Sequence, residues 1–179
     1  LINRNQVYNE KLVEAMKYLN TKKDTLFIGQ AVRYAGTGMF NSLLEVDDHK
    51  KIEFPVAENF QMGYCTGLAL NGFCPIAIYP RWNFLLCAAD QIVNHLDKLY
   101  NMSSGKVTPK MIIRVAVGTE IPVDPQDQHK GNFANAFRSM LKTVDVIELN
   151  HSDDIVDAYR HAYRSKYSTI IVEFPDYGK

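Results

Sequence analysis

The stretch KIEFPVAENFQMGYCTGLALNGFCPIAIY, Lys51 to Tyr79, reads as strand, helix, strand. KIEFP (51–55) and PIAIY (75–79) are short and nearly continuously apolar, the pattern of strands covered on both faces. The helix between them, 59–71, has small residues at Gly63, Gly67 and Ala69, which lets it approach its neighbours closely. Strands alternating with helices in this way point to a mainly parallel sheet.

The pattern repeats on both sides of this unit. TLFIG (25–29), MIIRVAV (111–117), VDVIEL (144–149) and TIIVEF (169–174) read as further strands. Helical patterns fall at 5–20, 38–45, 83–101, 131–142 and 152–165. Ser152 suits the N-cap of the last of these, with Asp153 and Asp154 in its first turn. The alternation predicts an α/β fold: a doubly wound, mainly parallel sheet of about six strands with helices on both faces. Ligand sites in such sheets gather beyond the carboxyl ends of the strands. The longest irregular segment, GTEIPVDPQDQHK (118–130), follows the fourth strand and is a candidate site wall.

A chain of 179 residues is expected to form one domain, 1–179, with no linker or internal repeat. Lys and Arg number 20, as do Asp and Glu, so the charge balance gives no reason to expect nucleic acid or an anionic membrane as partner. No apolar run approaches the roughly 18 residues that span a bilayer. The start, LINRNQVYNE, is polar and unlike a signal peptide. Cys65, Cys74 and Cys87 lack CxxC spacing and lie in apolar runs, which suggests reduced, buried thiols in a cytoplasmic setting.

Three generic motifs are excluded. GTG at Gly36–Gly38 lacks the spacing and context of a dinucleotide fingerprint and reads as a loop. Neither GxxxxGK[ST] nor GxSxG occurs. Glu58 is more informative, because it stands at the turn from strand into helix within an apolar run. It is either a helix-start acid stabilised by the macrodipole or a proton-handling acid facing a ligand. Trp82 and Phe84 open the next helical stretch and could serve simply as core aromatics. Asp90 and Gln91, within an apolar helix, are expected to cap or cross-link neighbouring elements. His129 lies in the long loop beyond a strand end, where imidazole is suited to proton transfer near neutrality.

Taken together these segments resemble the pyrimidine-binding domain of thiamine-diphosphate enzymes. The chain is most similar to the N-terminal domain of 2-oxoacid dehydrogenase E1 beta subunits, with transketolase more distant. The resemblance runs from LFIGQAV (26–32) to IIVEFPDYG (170–178) and is strongest over 58–105. There AENFQMGYCTGLALNGFCPI resembles the family's Glu-containing turn and glycine-spaced helix. WNFLLCAADQIVNHLDKLYNMSSG resembles its aromatic stretch, Asp-Gln helix and Tyr-x-Met-Ser ending, and DQHKGNF (127–133) its Gln-His segment.

The resemblance implies roles. Glu58 matches the glutamate that bonds N1′ of the cofactor's aminopyrimidine, favouring the imino form that deprotonates the thiazolium. Phe84 matches the aromatic stacked on the pyrimidine, with Trp82 and Cys87 as further cofactor-pocket positions. His129 matches a histidine that assists substrate or acyl transfer. The chain also departs from the family. Gln30 stands where the family has Glu after the first strand, and Cys87 where Gln or Pro is usual.

The family's diphosphate motif, Gly-Asp-Gly followed by Asn, does not occur in the sequence. The resemblance therefore implies a pyrimidine-binding subunit of a split enzyme. A separate Gly-Asp-Gly subunit would supply the diphosphate and Mg²⁺ end, in a heterotetramer with the active site at the interface. The expected reaction is decarboxylation of a 2-oxo acid with acyl or aldehyde transfer. The alternatives are a transketolase-like two-carbon transfer from a ketose and a non-catalytic assembly module that kept the fold.

Overall fold

The apolar runs pair as strands in one fully parallel sheet. β1 (Thr25–Gly29), β2 (Lys51–Glu53), β3 (Cys74–Tyr79), β4 (Ile112–Ala116), β5 (Asp145–Glu148) and β6 (Thr169–Glu173) lie in the order β2-β1-β3-β4-β6-β5. The computed structural model describes residues 4–120 and 124–175. Positions 121–123 of the long loop and 176–178 of the last matching block lie outside the described residues. Among the described residues no helix is long and apolar enough to cross a membrane.

Period-two alternation divides the strand side chains between two cores. Phe27, Ile76, Ile78, Ile112 and Ile171 meet α1 (Arg4–Asn20), α2 (Gly38–Ser42) and α7 (Ile155–Arg164). Ile28, Ala77, Ile113, Val115 and Val172 meet α3 (Glu58–Leu70), α4 (Trp82–Leu85) and α6 (Ala134–Met140). Helices therefore cover both faces, as the alternation of strand and helix implied. The link from β1 to β2 carries α2 on one face, and the link from β2 to β3 carries α3 on the other. The connection from β1 runs to β2 on one side and that from β3 to β4 on the other, which opens a crevice above the carboxyl ends of β1 and β3.

The first core contains a charge. Arg114 is fully buried between Ile112 and Ala116. Its guanidinium grips Glu173 with two bonds, at 2.6 and 3.0 Å, and the Tyr159 hydroxyl donates to the same carboxylate. This pair joins β4, β6 and α7, and loss of one partner would leave the other charged and buried.

Several local expectations need correction. The predicted single helix 83–101 is broken. After α4 come a 3₁₀ turn (Leu86–Ala88), a π-helical stretch (Gln91–Leu96) and α5 (Leu99–Met102). The widened turn, closed by the Asp97 N–H on the Ile92 carbonyl, keeps Ile92 and Leu96 in the core and turns Asp97 inward. Gln91 does cross-link, donating to Asn59 of α3 at 3.5 Å. Asp90 does not: it is exposed and bonds only within its own segment, to Asn94 and His95. Ser152 is not a cap. It begins a 3₁₀ turn ahead of α7, and neither N-terminus has a side-chain capping bond. Cys65 and Cys74 are buried, which pushes both thiols up to about 12, but Cys87 is exposed. GTG is a loop leading into α2, whose first turn is capped by Thr37.

Asp97 was not singled out in the sequence, yet it is fully buried. Its Oδ1 accepts from the backbone N–H groups of Lys142, Thr143 and Val144 at 2.8, 2.7 and 3.2 Å, clamping the segment before β5. Burial works against its charged form. The N–H groups of Thr143, Lys142 and Val144, with the Lys98 ammonium, outweigh burial and hold the carboxyl below its usual range. A depressed folded pKa means the clamp contributes fully above the unfolded value of about 3.9 and is lost as pH falls through the folded value. Asp97→Ala is therefore expected to cost about 3 kcal/mol in urea unfolding at pH 7. The difference from wild type should shrink below about pH 4; a pH-independent difference would show that the charge is not what matters.

Candidate functional site

The crevice above β1 and β3 is built by elements that end or begin there. Glu58 is the first residue of α3, half-buried, with no side chain capping the helix ahead of it. Its backbone carbonyl accepts from the hydroxyl of Tyr79, the last residue of β3, at 3.2 Å. Its carboxylate Oε1 accepts from the Gln30 side-chain amide at 3.2 Å, and Oε2 has no protein partner among the described residues. One turn further along α3, the buried Gln61 amide donates to the carbonyls of Ile28 and Ile78 at 3.3 and 3.0 Å. Those two bonds fix the start of α3 over the ends of β1 and β3.

Gly29 ends β1 against β3 so closely that a Cβ there would lie 2.2 Å from the Ile78 carbonyl oxygen. Beyond it the chain turns with Ala31 at a φ of 59°. The backbone N–H groups of Ala31, Val32 and Arg33 all donate to the Glu53 carboxylate at 2.8–2.9 Å.

On the other side of β3, α4 packs against the 3₁₀ turn Gln126–His129. Phe84 and His129 meet edge to face there, with ring centroids 5.1 Å apart. The His129 Nδ1 is buried without a partner, as is the Oδ1 of Asn83, the neighbour of Phe84. The base of the long loop is closed by Gly118 N–H donating to the His129 carbonyl at 3.0 Å. Lys130 bonds Asp124 at 2.8 Å and Glu120 at 3.4 Å across it.

The structure thus brings Phe84 and His129 into contact and ties Glu58 to the ends of β1 and β3. It sends Trp82 elsewhere: that ring is fully buried, 5.0 Å from Phe137 and 6.3 Å from Phe133, and packs the second core. Cys87 lies one turn beyond Phe84 with its thiol exposed. Gly63 faces the Gln91 amide at ordinary contact distance, whereas Gly67 has open space around it and allows no close approach within the chain. Gln61, Glu53 and Asn83 were missed by sequence reading. Gln61 could have been found as a polar residue three positions after Glu58 in an apolar helix; Glu53 and Asn83 left no comparable signal. Among the described residues no three His, Cys, Asp or Glu side chains converge as a metal site.

Comparison with known proteins gives a consistent picture. No family model matches the chain. It is 32% identical over 168 residues to the pyruvate dehydrogenase E1 component subunit beta of Rickettsia bellii, covering 92% of this chain and 51% of that subunit. It is 28% identical over 126 residues to the human mitochondrial subunit, covering 70% of this chain and 34% of that one. The chain therefore spans about half the length, or less, of these curated relatives. Among solved structures, a split-gene transketolase in an inactive beta4 tetramer superposes with a TM-score of 0.69 at 16% identity, covering 97% of this chain and 52% of that one. Transketolase from Campylobacter jejuni gives 0.67 at 17%, covering 98% and 26%.

A Cβ at Gly118 would fall 2.0 Å from the His129 carbonyl oxygen, a backbone atom that cannot swing away. Gly118→Ala is expected to cost about 1–3 kcal/mol and to push the 126–129 turn off Phe84. The His129 ring protons should then lose the ring-current shift of Phe84 in the proton NMR spectrum. An unchanged shift would show that the turn is held by other contacts.

Proposed function

The chain is a homologue of the pyruvate dehydrogenase E1 component beta subunits with a transketolase-like fold, and from that premise we propose that it is the pyrimidine-binding subunit of a split thiamine-diphosphate enzyme. The observation that carries the reading is Glu58: a half-buried carboxylate at a topological switch point, held through one oxygen and open at the other. Glu58 and the groups beside α4 at the other side of β3 together suit the pyrimidine end of the cofactor. An aromatic ring, a carboxylate oxygen, and the unpartnered His129 Nδ1 and Asn83 Oδ1 match a flat heterocycle with a ring nitrogen and an amino group.

Bound thiamine diphosphate supplies a carbon nucleophile and an electron sink for cleaving a bond next to a carbonyl. Glu58 holds and returns a proton at N1′ of the pyrimidine. Phe84 offers its ring face to the pyrimidine. His129, in contact with the Phe84 ring, transfers a proton at the substrate oxygen. The reaction is decarboxylation of a 2-oxo acid with transfer of the acyl or aldehyde unit, and two-carbon transfer from a ketose is the alternative within the same chemistry.

The diphosphate and Mg²⁺ belong on a separate Gly-Asp-Gly subunit, most simply in a heterotetramer in a reducing, cytoplasmic compartment. α3 offers a surface for it. Val56 and Phe60 are 79% and 64% exposed, Phe60 and Tyr64 stand against Phe54 at 5.6 and 5.5 Å, and Gly67 is open. Exposed apolar groups gathered on α3 and the segment leading into it mark an interaction face. The split-gene transketolase is a precedent for dividing this fold between chains.

The test is to co-express the chain with a Gly-Asp-Gly partner and titrate thiamine diphosphate and Mg²⁺ by calorimetry. A saturable isotherm is expected from the complex, and none would remove the central claim. Glu58→Gln should keep weakened binding while turnover of a 2-oxo acid falls at least about 100-fold. Unchanged turnover would make Glu58 a helix-start acid only.

A further inference from the structure

We propose that Gln30 is the positioning residue for Glu58, and that Glu53 in turn fixes Gln30; the proposal rests on the reading of Glu58 as the proton-handling acid. Among the described residues, the one side-chain bond made by the Glu58 carboxylate is the one it accepts from Gln30 Nε2, at 3.2 Å. That bond fixes Oε1 and leaves Oε2 to a ligand. Gln30 follows Gly29, the last residue of β1, which is jammed against the Ile78 carbonyl. It cannot drift with the strand end.

On its other side Gln30 meets the turn at 31–33. Ala31 there adopts a left-handed conformation that residues with a Cβ avoid. What holds it is the Glu53 carboxylate, which accepts all three N–H groups of Ala31, Val32 and Arg33. These donors would otherwise be unpaired at a strand end. Glu53 sits on β2, paired with Gly29 in the sheet register, so the turn is anchored to the sheet itself. The chain of fixation runs from β2 through Glu53, the 31–33 amides and Gln30 to Oε1 of Glu58.

The choice of amide has a chemical consequence. A side-chain amide donates a hydrogen bond but does not ionise in the working range, whereas two neighbouring carboxyl groups would share one proton. With Gln at position 30, Glu58 is the one ionisable member of the pair. Its proton is traded with the ligand through Oε2, not with the protein through Oε1.

Two measurements test this. In the isotopically labelled chain without cofactor, Glu58→Ala is expected to shift the Gln30 side-chain amide resonance, and Glu53→Gln to expose the 31–33 amides to faster hydrogen exchange. An unmoved Gln30 resonance overturns the proposal. In the complex with the diphosphate-binding partner, Gln30→Met keeps the side-chain length and removes the donor. Affinity for thiamine diphosphate at saturating Mg²⁺ is expected to fall about tenfold, while affinity for inorganic pyrophosphate, which lacks the pyrimidine, stays unchanged. Unchanged affinity for both, or equal loss for both, overturns the positioning role. If the wild-type complex binds no thiamine diphosphate, the functional reading fails, and the Gln30 resonance in the free chain still decides whether Gln30 holds Glu58.

Discussion

The site depends on one buried amide. Gln61 donates from a single nitrogen to the carbonyls of Ile28 on β1 and Ile78 on β3. Those carbonyls lie at the ends of neighbouring strands whose connections leave in opposite directions. A helix bringing a donor there is welcome, because a buried unpaired carbonyl is costly. The fit also sets the position of α3 to within a hydrogen bond. Glu58, one turn earlier on the same helix, is therefore placed by the sheet and not by a loop. A proton-handling group gains from that placement, since proton transfer is sensitive to displacements well under an ångström.

The other half of the site is held differently. His129 sits on a short turn whose position is set by one backbone bond to Gly118, two ion pairs from Lys130 and contact with the ring of Phe84. None of these is deep in the core. Phe84 itself is well anchored, because its neighbours Trp82 and Leu85 are fully buried. The arrangement sets a carboxylate tied to the sheet beside an imidazole carried on a loop. Loops of this kind shape what a site accepts while the scaffold beneath stays constant.

The sheet was legible in the sequence because short, doubly covered strands must be continuously apolar, and few other structures need that. The six strand runs matched to within two residues at each end. Helix 83–101 was less legible, since its apolar spacing suits an α-helix over most of its length. The break arises from Asp97, whose burial depends on amides at 142–144 that are remote in sequence. Cys87 and Gly67 misled for a related reason: an apolar or small residue in a helix was assigned to this chain's own core, although each is open to solvent here. Trp82 and Phe84 could not be told apart by residue type. One packs the core and the other meets His129, and only the turn of α4 decides which.

Glu58 itself illustrates how far pattern alone reaches. An acid at a helix start after a strand is common, and the macrodipole is sufficient reason for it. What separates Glu58 from that ordinary role is a set of contacts invisible in sequence: Gln30 on one oxygen, Tyr79 on its backbone carbonyl, and Gln61 beneath it. An acid serving only the dipole would have no need of a neighbour that orients a single carboxylate oxygen, or of a second carboxylate, Glu53, that fixes the neighbour's turn. The investment of two further polar side chains in the direction of one carboxylate is the mark of a group whose direction matters.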